Sequence, residues 1–144
     1  MSTILAFDFG TRKIGVAVGN TLVRVAHPLT TIRGEARSSR FEAIGALVAQ
    51  WQPQALVVGR PVHADGTPHE VTAQADRFAR SLEGRFGLPV MRVDERYTTE
   101  VADLELRAAG LPSAARIESR DAVAAQLILQ SWLDEKSDAL RDLA

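Results

Sequence analysis

The sequence has no cysteine, only two lysines, one tyrosine and two tryptophans among its 144 residues. Without cysteine there is no disulfide scaffold, no thiolate zinc site and no cysteine nucleophile. The same absence suits a reducing cytoplasm. Apolar runs such as residues 43–49 fall far short of the roughly 18 residues that suggest a membrane span. The first ten residues, MSTILAFDFG, lack a basic segment, and Asp8 interrupts their apolar run, so they do not read as a signal peptide. Net charge is 17 − 18 = −1, which argues against indiscriminate nucleic-acid binding. A chain of this length buries roughly two-thirds of its surface on folding. The expectation is one soluble, cytoplasmic domain over residues 1–144.

What charge there is lies unevenly. Arg12, Lys13, Arg24, Arg33, Arg37 and Arg40 face only Glu35 within residues 12–40, a local balance of 6 − 1 = +5. The last eleven residues, DEKSDALRDLA, hold four acids against two bases. Fifteen of the seventeen basic residues are arginine, the type suited to bidentate phosphate contacts. Nucleic acid remains open as a partner despite the near-neutral total.

The apolar pattern changes period along the chain. Thr3 to Phe9, Lys13 to Gly19 and Leu22 to Ile32 read as three strands with short turns, hence an antiparallel meander. Pro28 marks the third as an edge. Ser39-x-x-Glu42 reads as a capping box before a helix bearing Phe41, Ile44, Leu47, Val48 and Trp51 on one face. A strand at Gln54 to Val58 and a loop to Gly66 follow. Thr67-Pro68-His69-Glu70 opens a second helix reaching Gly84. Val90 to Val93 is the last strand. Thr98 or Thr99 caps a short helix ending near Gly110, and Ser119 caps a final one to about Leu133. The order βββαβαβαα gives an α/β fold: a five-stranded mixed sheet, meander plus two parallel strands, with helices on both faces.

Three acids stand out. Asp8 lies on the Ile4/Ala6 side of a strand that reads as central, where a lone carboxylate is costly unless paired, hydrogen-bonded or bound to a cation. A simpler role for it is capping the Gly10 turn. Asp94-Glu95-Arg96 directly follows a parallel strand, where functional groups of α/β sheets gather; a solvated acidic turn would look the same. Asp121, two residues past the Ser119 cap, suits a helix's first turn, yet it shares a face with Ala125, Ile128 and Trp132. Three acids converging from two strand ends and a helix would suit Mg²⁺ or Mn²⁺.

LAFDFGTRKIGVAVGN, LVVGRPVHADGT, RVDERYTT and SRDAVAAQLILQSW together resemble the YqgF family, also called RuvX, of proposed Holliday junction resolvases or pre-ribosomal-RNA nucleases. The four segments occur in family order and span nearly the whole chain. The resemblance implies a ribonuclease H-like fold. It also places a catalytic, metal-binding triad on Asp8, Glu95 and Asp121, with Asp94 ranked below Glu95. Two metal ions, one activating a water and the other stabilising the leaving 3′ oxygen, would cut a phosphodiester bond without a side-chain base. Arg12, Lys13, Arg96, Arg116 and Arg120 are candidate nucleic-acid contacts, the last two flanking a loop from Gly110 to Ser119. His63 stands where family members often have Asn, and Arg116 and Arg120 where they have lysines. The implied partner is structured nucleic acid, precursor ribosomal RNA or branched DNA; a junction resolvase would also be expected to form a homodimer. A non-catalytic binding module of the same fold is the alternative. DFGT also resembles the phosphate loop of two-lobed sugar kinases and ATPases, but 144 residues leave no room for a second lobe.

Overall fold

In the computed structural model, residues 2–34, 36–61, 70–95, 110 and 113–143 are described. Their elements are β1 (Thr3–Asp8), β2 (Lys13–Asn20), β3 (Ala26–Arg33), α1 (Arg37–Trp51), β4 (Ala55–Pro61), α2 (Glu70–Phe86), β5 (Val90–Glu95) and α3 (Ser113–Leu143). The sheet order is β3-β2-β1-β4-β5. β1, β2 and β3 pair antiparallel, whereas β4 pairs parallel to both β1 and β5. This is the mixed five-stranded sheet expected from the sequence, with β1 at its centre.

Period-two alternation divides the sheet into two faces. Leu5, Phe7, Ile14, Val16, Leu56 and Val58 point to one side and pack with Phe41 and Ile44 of α1 and Phe78 of α2. Ile4, Ala6, Ala17 and Val57 point to the other and pack with Ala125, Ile128, Leu129 and Trp132 of α3. Ile128, Leu129 and Leu133 are at most 2% exposed, and burying each such side chain stabilises by about 1.5–3 kcal/mol. The α3 side of β2 carries Gly15, Ala17 and Gly19, so the helix lies unusually close there. A Cβ on Gly15 would fall 1.8 Å from the Asp121 carbonyl oxygen. The glycine is required by that contact.

Several boundaries differ from the sequence reading, each for a local reason. β3 begins at Ala26, not Leu22, because Asn20 Oδ1 accepts the Leu22 and Val23 N–H groups at 3.0 and 2.7 Å and winds residues 21–23 into a turn. Pro28 is accommodated on an edge strand, beside a register shift at Val16/Ala17. Ser39 does not cap α1: Ala36 is the N-cap, the Arg40 N–H bonds its carbonyl at 3.1 Å, and the Arg40 guanidinium anchors that turn to Gly34 and Gly10. β4 and β5 continue past Val58 and Val93 as a ladder through Pro61 and Glu95. α2 ends at Phe86, closed by Gly87 at φ 64°; its proposed start at Thr67 lies outside the described residues, as does the short helix after Thr98.

The largest correction concerns the last helix. It starts at Ser113 and runs to Leu143, so Ser119 is an interior residue and no loop runs from Gly110 to Ser119. Asp121 is therefore eight residues inside the helix, where first-turn dipole stabilisation does not reach.

Candidate active site

The carboxyl ends of β1, β4 and β5 form one rim of the sheet. Asp8 ends β1 and is 8% exposed. Its register partners are Gly15 on β2 and Gly59 on β4, so neither neighbouring strand offers a side chain beside it. Alternation puts it on the α3 side with Ile4 and Ala6, as the sequence suggested.

Asp121 approaches the same point from above. Its carbonyl oxygen sits against Gly15, the residue paired with Asp8. The structure thus brings Asp8 and Asp121 to one glycine. Asp121 Oδ2 is buried and has no hydrogen-bond partner among the described residues, an arrangement that costs free energy unless a cation meets it. Among the described residues Lys13 Nζ stands 3.9 Å from Oδ2, beyond hydrogen-bonding distance. Arg120 Nε, next along the helix, is also buried and lacks a partner among the described residues.

Glu95 and Asp94 part company on β5. Asp94 pairs in register with Arg60 and accepts from its Nη1 at 2.6 Å. Arg60 also grips both oxygens of Asp76 at 2.8 and 3.1 Å, and Arg92 stands 3.4 Å from Asp76. The Arg60 hydrogen bonds hold the Asp76 carboxyl below its ordinary value and raise Arg60 above its own. Asp94 is thereby committed to a charge network on the α2 side. Glu95 holds the last register position, opposite Pro61.

The remaining candidates are scattered. Lys13 lies at Asp121, and Arg12 is exposed on the turn before β2. Arg116 and Arg120 are both on α3 rather than beside a loop. Arg96 and His63 lie outside the described residues. Sequence reasoning missed Gly15 and Gly59, which clear the space around Asp8; an isolated glycine inside a strand pattern was the available signal.

The residues present suit a divalent cation. A buried carboxylate oxygen without a donor among the described residues, a second buried carboxylate at the same glycine and all-oxygen ligands are what hard cations take.

Comparison with known proteins agrees with this architecture. The Thermus thermophilus RuvC structure, in complex with a Holliday junction substrate, aligns with a TM-score of 0.56 at 18% identity, covering 96% of this chain and 97% of that one. The fowlpox virus resolvase bound to junction DNA aligns at 0.58 with 9% identity, over 92% and 97%. At such identities these likenesses establish the fold, which is ribonuclease H-like, of the RuvC kind. Closer relatives come from sequence. A Burkholderia lata protein named "Putative pre-16S rRNA nuclease" is 54% identical over 137 residues, 95% of this chain and 92% of its own length. A Dechloromonas aromatica protein of the same name is 56% identical over 134 residues, covering 93% and 92%. Residues 2–135 match the family model RuvX, described as Holliday junction resolvase. With a family-model match over residues 2–135 and relatives more than half identical over the aligned residues, the chain belongs to the RuvX family.

Proposed function

We propose that residues 1–144 form one metal-dependent endonuclease domain that hydrolyses phosphodiester bonds in structured nucleic acid, with precursor small-subunit ribosomal RNA as the substrate. The observation that carries this reading is the convergence of Asp8 and Asp121 on Gly15, one of them with a buried oxygen that no donor among the described residues serves. The choice of RNA rests on relatives sharing more than half their residues with this chain; the likeness to junction-bound resolvases is one of fold. Asp8, Asp121 and Glu95 are the proposed metal ligands. When bound, Mg²⁺ or Mn²⁺ supplies the activated water and the charge neutralisation at the leaving oxygen. The protein's own residues hold and orient. Asp8 is fixed by the central strand, Asp121 by the body of a long helix, and Lys13 offsets their charge. Arg12, Arg96, Arg116 and Arg120 are proposed to meet backbone phosphates. No helix among the described residues is long and apolar enough to cross a membrane, and the absence of cysteine is consistent with a cytoplasmic site of action.

Purified protein with Mg²⁺ or Mn²⁺, offered a precursor 16S rRNA fragment and a four-way DNA junction side by side, tests the proposal. Cleavage of the RNA is expected, with Asp8→Asn, Glu95→Gln and Asp121→Asn each folded and inactive. Symmetric cuts in the junction by a dimer would replace the RNA reading with resolvase activity. Tight binding with no cleavage of either would make the chain a binding module.

A further inference from the structure

On the face opposite Asp8, α1 and α2 leave a notch of about 250 Å³ open at the end of β1, lined by Thr11, Arg37, Arg40, Arg77 and Ser81 over a floor of phenylalanine rings. It is smaller than the roughly 300–1,000 Å³ of small-molecule pockets, and three guanidinium groups surround it. Arg40 has structural work, bonding the Gly10 and Gly34 carbonyls at 2.6 and 2.8 Å. Arg37 and Arg77 have none comparable. Both are exposed, and among the described residues no carboxylate lies within 4.0 Å of either. Arg37 donates to the Ser81 hydroxyl at 3.0 Å and lies over the Phe41 ring at 5.4 Å, while Arg40 lies over Phe9 at 5.7 Å. Stacking fixes a guanidinium plane and leaves its N–H edge available. The first turn of α1 adds positive potential, because Ala36 contributes no side-chain cap and no acid stands in that turn. Two exposed guanidinium groups with no carboxylate within 4.0 Å among the described residues suit an anion.

We infer that this notch binds a backbone phosphate of the nucleic acid, on the same strand as the bond cleaved and a few nucleotides away. This deepens, and rests on, the nuclease reading. The turn joining β1 to β2 supplies the geometry. Thr11 lines the notch and Lys13 stands at Asp121, and two residues span at most about 7 Å. A strand crossing the rim of the sheet thus meets the acids on one side and the arginines on the other. The notch gives the enzyme a grip away from the reacting phosphate, where the acids themselves repel the backbone. It also uses the basic excess of residues 12–40 together with Arg77, which the sequence pattern did not single out.

The test measures binding of fluorescein-labelled precursor 16S rRNA fragment and four-way DNA junction across a salt series, in an Asp8→Asn background so that nothing is cut. Arg77→Ala and Arg37→Ala should each flatten the slope of log affinity against log salt, and the double variant by about 0.7–0.9 in total, the share of one phosphate. Arg77→Lys should keep the slope. Arg80→Ala, on the same helix outside the notch, should leave it unchanged; Arg77 and Arg37 are exposed, so their variants fold. Parental binding with slopes unmoved by Arg37→Ala and Arg77→Ala overturns the notch and leaves the nuclease reading standing. Equal flattening by Arg80→Ala also overturns it, by showing a diffuse charge effect. Failure of the Asp8→Asn protein to bind either probe overturns both.

Discussion

Gly15→Ala is the most demanding single perturbation the architecture offers. The added methyl would sit 1.8 Å from the Asp121 carbonyl oxygen, 2.3 Å from its carbon and 3.0 Å from the Ala122 nitrogen. Normal contact begins at roughly 3.5 Å, so β2 and α3 must part by on the order of 1.5 Å. The obstacle is helix backbone, which cannot rotate away as a side chain would. Overpacking of a core commonly costs about 1–3 kcal/mol, and the upper end applies here. At roughly 3–4 °C per kcal/mol for a chain of this size, Tm should fall by about 10 °C. The same displacement lifts Asp121 off Asp8, and a misplacement of about 1 Å can cost 10²-fold in rate. Two other glycines calibrate the result. Gly84→Ala has no atom within 4 Å of the new methyl and lies exposed in α2, so it should stabilise by about 0.5–1 kcal/mol. Gly19→Ala meets mobile Leu129 and Leu133 methyls at 3.2 and 3.3 Å, besides the Val25 carbonyl at 3.0 Å, and should fall between. Thermal melts and cleavage assays on the three proteins decide it. A Gly15→Ala protein as stable and active as its parent would refute the close approach of α3 to β2 on which the site is built.

Other outcomes follow from the same geometry. Mg²⁺ at about ten times its dissociation constant should stabilise the parent by about 1.4 kcal/mol, a rise of about 3–6 °C in Tm, with most of that gain absent from Asp8→Asn; equal shifts in both proteins would remove Asp8 from the ligand set. Asp94→Asn should retain cleavage where Glu95→Gln loses it, because Asp94 already serves Arg60; the reverse result would exchange their roles. Asp76→Asn should destabilise by on the order of 1 kcal/mol at pH 7. Arg60 holds the native Asp76 carboxyl below its unfolded value of 3.8, so this contribution is complete above that value and is lost as pH falls through the native one. Denaturant titrations of parent and variant from pH 7 to 2.5 should converge at the acid end, and a constant gap would assign the loss to packing.

The sheet was legible because its signals are local. Branched residues alternate in β1 and β2, Pro28 marks the edge, and helical spacing separates β4 from β5. Asp8 was legible for the same reason, as a carboxylate on the apolar side of a central strand. What stayed hidden depends on tertiary contacts. Nothing local distinguishes Ser119 from Ser113 as a helix start, and the stripe that α3 packs on the sheet runs from Ala125 to Leu133, beyond both. Arg40 looked like one more member of a basic stretch, yet its bonds to Gly10 and Gly34 join the ends of two loops thirty and six residues away. The ranking of Glu95 above Asp94 came from resemblance alone; what the structure adds is that Asp94, opposite Arg60 in the ladder, is engaged in an ion pair.

The two acids are costly residues for a fold to keep. β1 is the central strand, and every other position of Ile4–Phe7 is an apolar residue at most 2% exposed. Another apolar side chain at position 8 would continue that pattern. Gly15 and Gly59 compound the cost, since each weakens a strand interior and together they leave Asp8 without lateral cover. Asp121 adds a buried carboxylate oxygen without a donor among the described residues, beside the buried Ala122, Val123, Ala124 and Ala125. A structural aspartate needs none of this, because a turn cap is satisfied by its own backbone N–H groups. Local rules broken at four positions that meet at one strand end are the pattern that the proposed site, retained for chemistry rather than stability, would leave.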